Sequence, residues 1–210
     1  KNILKSINIK EINLKKKEIT FSNKKIKYNH IVSTIPLDQL VKITKPNPPT
    51  HIKKSSTYLK YRSIVLPYFV IKGQNMFDSE TLYFPEKKYM FNRLYFPSSY
   101  YKDKKNNNLP KKYLVGLEVT CDFNDKIWKM KKNQLMNTLL QNLNELKIFD
   151  KNQVIDFFVH KEKYAYPIYL KDYMYHLNSI KDYYYSNGVM LNGRQGLFLH
   201  NNQHHSIEMA

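Results

Sequence analysis

The chain has 210 residues, enough for one large domain or two small ones with a real core. Its hydrophobic fraction of 42%, with 18 Tyr and 11 Phe, excludes a disordered chain. The formal net charge of +18 locates no nucleic-acid site, because Lys greatly outnumbers Arg and is scattered with Asn, Ile and Tyr through every segment, as an AT-rich coding sequence would yield.

Residues 1 to 35 read as short strands separated by polar turns such as Ser22-Asn23, with Ile3, Ile7 and Ile9 alternating with polar residues. The pairs Ile12 and Leu14, Ile19 and Phe21, and Ile26 and Tyr28 continue the alternation. His30 to Pro36 reads as a buried strand that stops at its proline, followed by a short helix over Leu37 to Val41. Pro46-Asn47-Pro48-Pro49 is compatible with neither helix nor central strand and marks a boundary. Tyr58 to Ile71 is a long β-rich run, and Pro67 within it predicts an edge or a bulge. Thr81 to Phe84 and Met90 to Phe96 form a predicted strand pair, residues 98 to 112 a basic, Asn-rich loop, and Tyr113 to Thr120 a further strand. Cys121, the single cysteine, excludes an internal disulfide and a cysteine zinc cluster; it is read as a small buried residue in a reducing, cytoplasmic setting.

The clearest helix runs from about Lys126 to Leu146, with Trp128, Leu135, Leu139, Leu143 and Leu146 at three- and four-residue steps and Asp122 or Asn124 placed to cap it. Residues 154 to 160 form a strand, Tyr164 to Tyr169 an aromatic loop around Pro167, and Lys171 to Tyr184 a second helix that Asn187-Gly188 ends. The last stretch, Val189 to Ala210, crowds Gly, Arg, His and Asn together. Gly193 and Gly196 bracket Arg194, permitting positive φ and close backbone approach. The polar run His200 to Ser206 leads into a helix start with Ser206 as its cap. No run is apolar for long enough to cross a bilayer. The pattern as a whole is α+β, a mixed or antiparallel sheet with two helices and then the glycine-arginine segment.

Arg62 and Arg93 are two of only three arginines. In so Lys-rich a chain, a retained Arg points either to bidentate recognition of an anionic group or to a structural ion pair with Glu86 or Glu118. Tyr164, Tyr166 and Tyr169 are candidates to wall a substrate pocket, with core packing as the alternative. His204 and His205 lack the spaced carboxylate that a metal site would need, so no metal is expected. His160 and Glu118 are acid–base candidates whose geometry the sequence does not fix.

Several segments in order resemble FAD-dependent oxidoreductases related to amine oxidase and protoporphyrinogen oxidase. The strand ending Val32-Ser33-Thr34-Ile35-Pro36-Leu37 is similar to the "vSTiPL" segment of that group. Tyr61-Arg62-Ser63, Tyr83-Phe84-Pro85-Glu86, Phe91-Asn92-Arg93, Leu117 to Cys121 and Ala165 to Tyr169 look like its successive blocks. The ending GRQGLFLHNNQHHSIEMA resembles the closing "GRxGxwxYxNMDHS" motif, and UDP-galactopyranose mutases have a similar ending.

The resemblance implies a two-part structure. Residues 1–45 and 186–210 would belong to the FAD-binding domain, and 46–185 to a substrate-binding domain for a small-molecule substrate. No GxGxxG loop over the pyrophosphate is present, so the chain is expected to be the C-terminal portion of a longer protein whose N-terminal Rossmann segment is its partner. That portion alone is expected to be inactive. By the same resemblance Ser33, Thr34, Pro36, Gly193, Arg194, Asn202, Gln203 and His204 are cofactor-binding, and Arg62, Arg93 and Tyr166 bind substrate. His200, Gln203 and His204 depart from the family's Tyr, Met and Asp. A mutase-like flavoenzyme is one alternative function. A non-enzymatic nucleic-acid-binding domain, using loop 102–112, is the other; the absence of interleaved aromatics in that loop counts against specific nucleic-acid binding.

Overall fold

The computed structural model of the chain describes residues 3–73, 77–97, 99 and 112–209. Helices and mixed sheets make it α+β, as expected. The chain divides into two compact units: unit 1 is Lys1–Tyr61 with Tyr166–Ala210, and unit 2 is Arg62–Ala165. The chain crosses between them inside two long strands, not at the proline-rich stretch or after the second helix as the composition suggested. Residues 46–61 and 166–185 fall in unit 1 because a helix from each stretch packs against the other there.

In unit 1, β1 (Ile9–Asn13), β2 (Glu18–Phe21) and β3 (Lys24–Lys27) form an antiparallel meander, and β5 (Thr44–Lys45) joins β1 in parallel. All four residues of the outer strand β3 are exposed, and its three lysines suit an unpaired edge. A separate two-stranded parallel ladder pairs β4 (Ile31–Ser33) with β11 (Val189–Leu191), with Met190 opposite Val32. The helices are α1 (Leu37–Ile43), α2 (Thr50–Tyr58), α5 (Tyr173–Ser186), α6 (Gly193–Gly196) and α7 (Gln203–Glu208). Leu37, Leu40, Ile52, Ile180, Tyr184 and Phe198 are fully buried at the centre of this unit's core.

Helix α2 was not legible, and its composition explains why. Pro49 at its N-cap leaves no useful N–H to lose, but its buried face carries Ser55 and Ser56 beside a single buried Ile52. Serine on the inner face erases the apolar period, and the Ser56 hydroxyl is satisfied locally by donating to the Lys53 carbonyl at 2.8 Å. At the end of α1, the Thr44 hydroxyl donates to the Leu40 carbonyl (2.7 Å) and meets the Tyr184 hydroxyl at 2.9 Å; burial pushes that phenol's pKa up.

In unit 2 a five-stranded sheet runs in the order β10-β6-β9-β8-β7, built from β6 (Lys60–Lys72), β7 (Thr81–Tyr83), β8 (Arg93–Tyr95), β9 (Lys112–Cys121) and β10 (Val154–Ile168). Strand β6 lies between β10 and β9 and keeps one register against β9 from Ser63 opposite Cys121 to Lys72 opposite Lys112. Pro67 therefore marks neither an edge nor a register shift in that pairing. The aromatic loop expected around Pro167 is the end of β10, an outer strand where a residue without an N–H is tolerated.

The single helix expected over 126–146 is two, α3 (Lys126–Lys129) and α4 (Lys132–Glu145), separated by extended backbone at Met130 and Lys131. The Trp128 carbonyl, which the break leaves without a helical partner, accepts from Lys161 Nζ. The α3 cap is Asp125, not Asp122 or Asn124: its carboxylate accepts from Trp128 N at 2.7 Å. Removing it as Asp125→Ala should cost about 1 kcal/mol of unfolding free energy, read from a denaturant curve. On the sheet's inner face Leu135, Leu139 and Leu143 of α4 pack into a core with Phe69, Leu94, Val115 and Leu117.

Cys121 is buried in this core, and burial, followed by the nearby Asp125 and Asp122, pushes its thiol up to about 11. A thiol that holds its proton more tightly when folded adds stability below its ordinary pKa and loses it as pH rises through the folded value. Stability of unit 2 should thus fall between its ordinary value of 9.0 and about 11, and Cys121→Ala should flatten that decline in thermal melts taken across the range.

Candidate cofactor site

The site is assembled in unit 1 where β11 leaves its ladder. Gly188, at φ +71°, ends α5 and aims the chain into β11, as the Asn-Gly pair predicted. Asn192 then ties three pieces together. Its N–H donates to the Ser33 carbonyl (3.0 Å), its Oδ1 accepts from Gly193 N (2.6 Å), and its Nδ2 donates to the Ser206 carbonyl (3.1 Å).

The two glycines serve different ends. Gly193 takes φ +76° to turn into the one-turn helix α6. Gly196 has an ordinary φ but is pressed against β4: a Cβ there would lie 2.7 Å from the Ser33 carbonyl oxygen and 3.1 Å from Thr34 Cα. Thr34 also sits 3.6 Å from where a Gly193 Cβ would be, and Pro36 is the N-cap of α1. The Tyr61 hydroxyl locks this arrangement by accepting from Leu37 N and donating to the Gln195 carbonyl, both at 3.2 Å.

Arg194 is held from two sides. Its Nε and Nη2 both donate to the Asn201 carbonyl, at 2.9 and 2.6 Å, and its guanidinium lies 5.1 Å from the centre of the Tyr166 ring. His200 meets the same ring edge-on at 5.4 Å, and its N–H donates to the Tyr169 hydroxyl at 2.8 Å. Asn201 is 6% exposed; its Nδ2 donates to Ser206 Oγ at 3.2 Å, but its Oδ1 is buried with no hydrogen-bond partner among the described residues. A buried acceptor left so costs about 1–3 kcal/mol.

Ser206 is not the helix cap. Helix α7 starts at Gln203 with Asn202 as N-cap, and the Asn202 N–H donates to His205 Nδ1 at 3.1 Å. Together Arg194, Gln195, Asn201, Asn202, Gln203, Ser206 and Ile207 line an open cleft of about 770 Å³. His204 points its Nε2 to within 3.1 Å of His205 Nε2. Among the described residues no group of three or more His, Cys, Asp or Glu could hold a metal ion.

Most residues expected at a cofactor therefore converge. Ser33, Thr34, Gly193 and Arg194 share one junction, and Asn202 and Gln203 border the same cleft as Arg194. Sequence reasoning missed Asn192, Asn201, Gln195 and Tyr61. Only the Asn192-Gly193 pair carried a local turn signal; the others matter through contacts 7 to 134 residues apart in the chain.

Of the expected substrate residues, Tyr166 belongs to unit 1 and supports Arg194, and the two arginines belong to unit 2. In unit 2 Arg62 pairs with Asp122 at 2.6 Å, and Arg93 pairs with Glu118. Each arginine thus has its own carboxylate, and Glu118 was one of the two partners foreseen for Arg93. His160 is exposed on β10.

No family model and no curated protein matches the chain. Solved structures do. A reduced UDP-galactopyranose mutase superposes with TM-score 0.76 at 22% identity, over 90% of this chain and 40% of that one. A putative protoporphyrinogen oxidase from Exiguobacterium sp. 255-15 gives 0.63 at 14%, over 85% and 39%. A putrescine oxidase bound to putrescine gives 0.58 at 9%, over 82% and 39%. The fold is the one that the sequence resemblance implied, and the chain spans about two fifths of the length of these proteins. The nucleic-acid-binding alternative has no counterpart among them, and loop 102–112 lies outside the described residues except for Lys112. No helix among those residues is long and apolar enough to cross a membrane.

Proposed function

We propose that this chain is the C-terminal portion of a cytoplasmic FAD-dependent oxidoreductase of the amine oxidase and protoporphyrinogen oxidase-like kind. In this reading unit 1 contributes to the FAD-binding domain and unit 2 is the substrate-binding domain. The observation that carries it is an open cleft bordered by the anchored Arg194 and by the polar residues Gln195, Asn201, Asn202 and Gln203. FAD fits what this cleft asks for, because its ribityl hydroxyls and ring N–H are donors and its ring becomes electron-rich on reduction. When bound, it supplies the electron acceptor for oxidising an amine or C–H bond.

The chain's own residues have defined tasks in that reading. Arg194 places a fixed positive charge at the cleft, and Asn201 orients it through the backbone carbonyl. Ser33 and Thr34 support the Gly193–Gly196 turn from behind, with Pro36 starting α1 beyond them, while Asn202, Gln203 and His204 present α7 along the cleft. In unit 2, Arg62 and Arg93, each held by its carboxylate partner, are assigned to the substrate side in this reading. The exposed faces of Val32 (56%) and Met190 (49%), neighbours in a parallel ladder, favour the same reading, because parallel strands are ordinarily covered on both faces. A Rossmann segment upstream would supply that cover and the pyrophosphate contacts. Mutase-like chemistry on a reduced flavin is the alternative within the same site, favoured by the superposition on the mutase.

The coding sequence upstream of Lys1 tests this directly. The reading requires a strand, a GxGxxG turn opening a helix, and an acidic residue about 20 positions later. An upstream frame without that pattern would end it.

A further inference from the structure

Helix α7 closes its start with a capping box in which His205 stands at the third helical position, where Glu or Gln is usual. The Asn202 N–H donates to His205 Nδ1 at 3.1 Å, so that nitrogen carries no proton. A neutral His205 therefore keeps its proton on Nε2, which lies 3.1 Å from His204 Nε2. The two rings share a hydrogen bond only if His205 donates and His204 accepts, and that leaves the His204 proton on Nδ1. Both bare nitrogens are thus in use.

Both rings are exposed, so a proton reaches them from solvent. A proton on His205 removes the acceptor of the Asn202 N–H. A proton on His204 sets two N–H groups face to face. The first turn of α7 carries the positive end of the helix dipole. Helix α6 packs on α7, and its charged side chain is Arg194, also positive, on the border of the cleft that Asn202 and Gln203 line. His200, just upstream, has its ring against Tyr166. Glu208, exposed and the one acidic residue of α7, follows His204 by four positions and His205 by three, and it alone favours the added charge.

We propose that His204 and His205 form a pH latch on the start of α7. With both rings neutral, the latch holds Asn202 and Gln203 in the wall of the cleft; one proton on either ring releases them. The latch itself needs no ligand, and reading its opening as release of flavin rests on the proposed function.

The test uses the nitrogen-15-labelled 210-residue chain, followed by NMR from about pH 8 to about pH 5. At the upper end His205 should show Nδ1 as its bare nitrogen and His204 should show Nε2. On acidification the Asn202 amide should move together with the His205 ring, toward the position that His205→Ala gives at every pH. His205→Gln restores an acceptor that does not titrate and should hold the Asn202 amide fixed over the range. Opposite tautomers, or an Asn202 amide that stays in place while the His205 ring titrates, would overturn the proposal. In the full-length protein, flavin release should be about fivefold faster at the acid end, the effect of one lost helix cap, and His205→Gln should remove that excess. A full-length protein without flavin would end the cofactor reading and leave the tautomers and the Asn202 shift as they are, so the two fail separately.

Discussion

Gly196→Ala is expected to lower the unfolding free energy by about 1–3 kcal/mol, through overpacking against backbone that has nowhere to go. The added methyl would sit 2.7 Å from the Ser33 carbonyl oxygen. That carbonyl already accepts from Asn192 N, and Ser33 is paired with Leu191 in the β4–β11 ladder, so it cannot swing aside without breaking both. In urea the midpoint should fall while the slope stays constant, since the unfolded chain is unchanged in extent. Gly193→Ala is the informative control. Its methyl meets only Thr34 at 3.6 Å, and its cost comes from φ +76° alone. A Gly196→Ala protein as stable as wild type would mean that α6 and β4 are not in the close contact described.

Arg194→Ala should lower flavin retention by the full-length protein at least tenfold while leaving its far-ultraviolet circular dichroism unchanged. The side chain makes two charged hydrogen bonds to one carbonyl and lies against Tyr166. Those contacts hold its charge at the cleft; forfeiting one charged hydrogen bond to the flavin there would cost about 1.5–3 kcal/mol, which sets the scale of the loss. Arg194→Lys keeps the charge but cannot span Nε and Nη2 to the same oxygen, so it should recover only part of the retention. Flavin content and turnover equal to wild type in Arg194→Ala would remove the residue from the site.

Much of this fold is written in local patterns. The stripe Leu135, Leu139 and Leu143 announces α4, Gly188 announces the end of α5, and the alternation around Ile12, Ile19 and Ile26 announces the meander. What local patterns miss has physical causes. Helix α2 hides its inner face behind serines. The 15-residue strand β10 carries Pro167 without penalty because it lies on an edge, a fact about neighbours rather than composition. Asp125 caps α3 while Asp122 and Asn124 look equally apt, because only the backbone path decides which carboxylate faces Trp128 N.

The same contrast holds at the site. Gly193, Arg194 and Asn202 stood out through residue type and spacing, and through an ordered likeness to known motifs. Asn201 did not, since its importance lies in being buried with one acceptor unmet among the described residues. Arg93 carried two open readings, and register supplies the partner for one of them by placing Glu118 opposite it.

The most direct measurement of the central claim is the absorbance spectrum of the full-length gene product, purified without added cofactor, with flavin released by denaturation and quantified against protein. Flavin bands in the native spectrum, about one flavin per chain on release, and a marked loss of both in Arg194→Ala are expected. A folded full-length protein that carries no flavin and takes up none when FAD is supplied would contradict it.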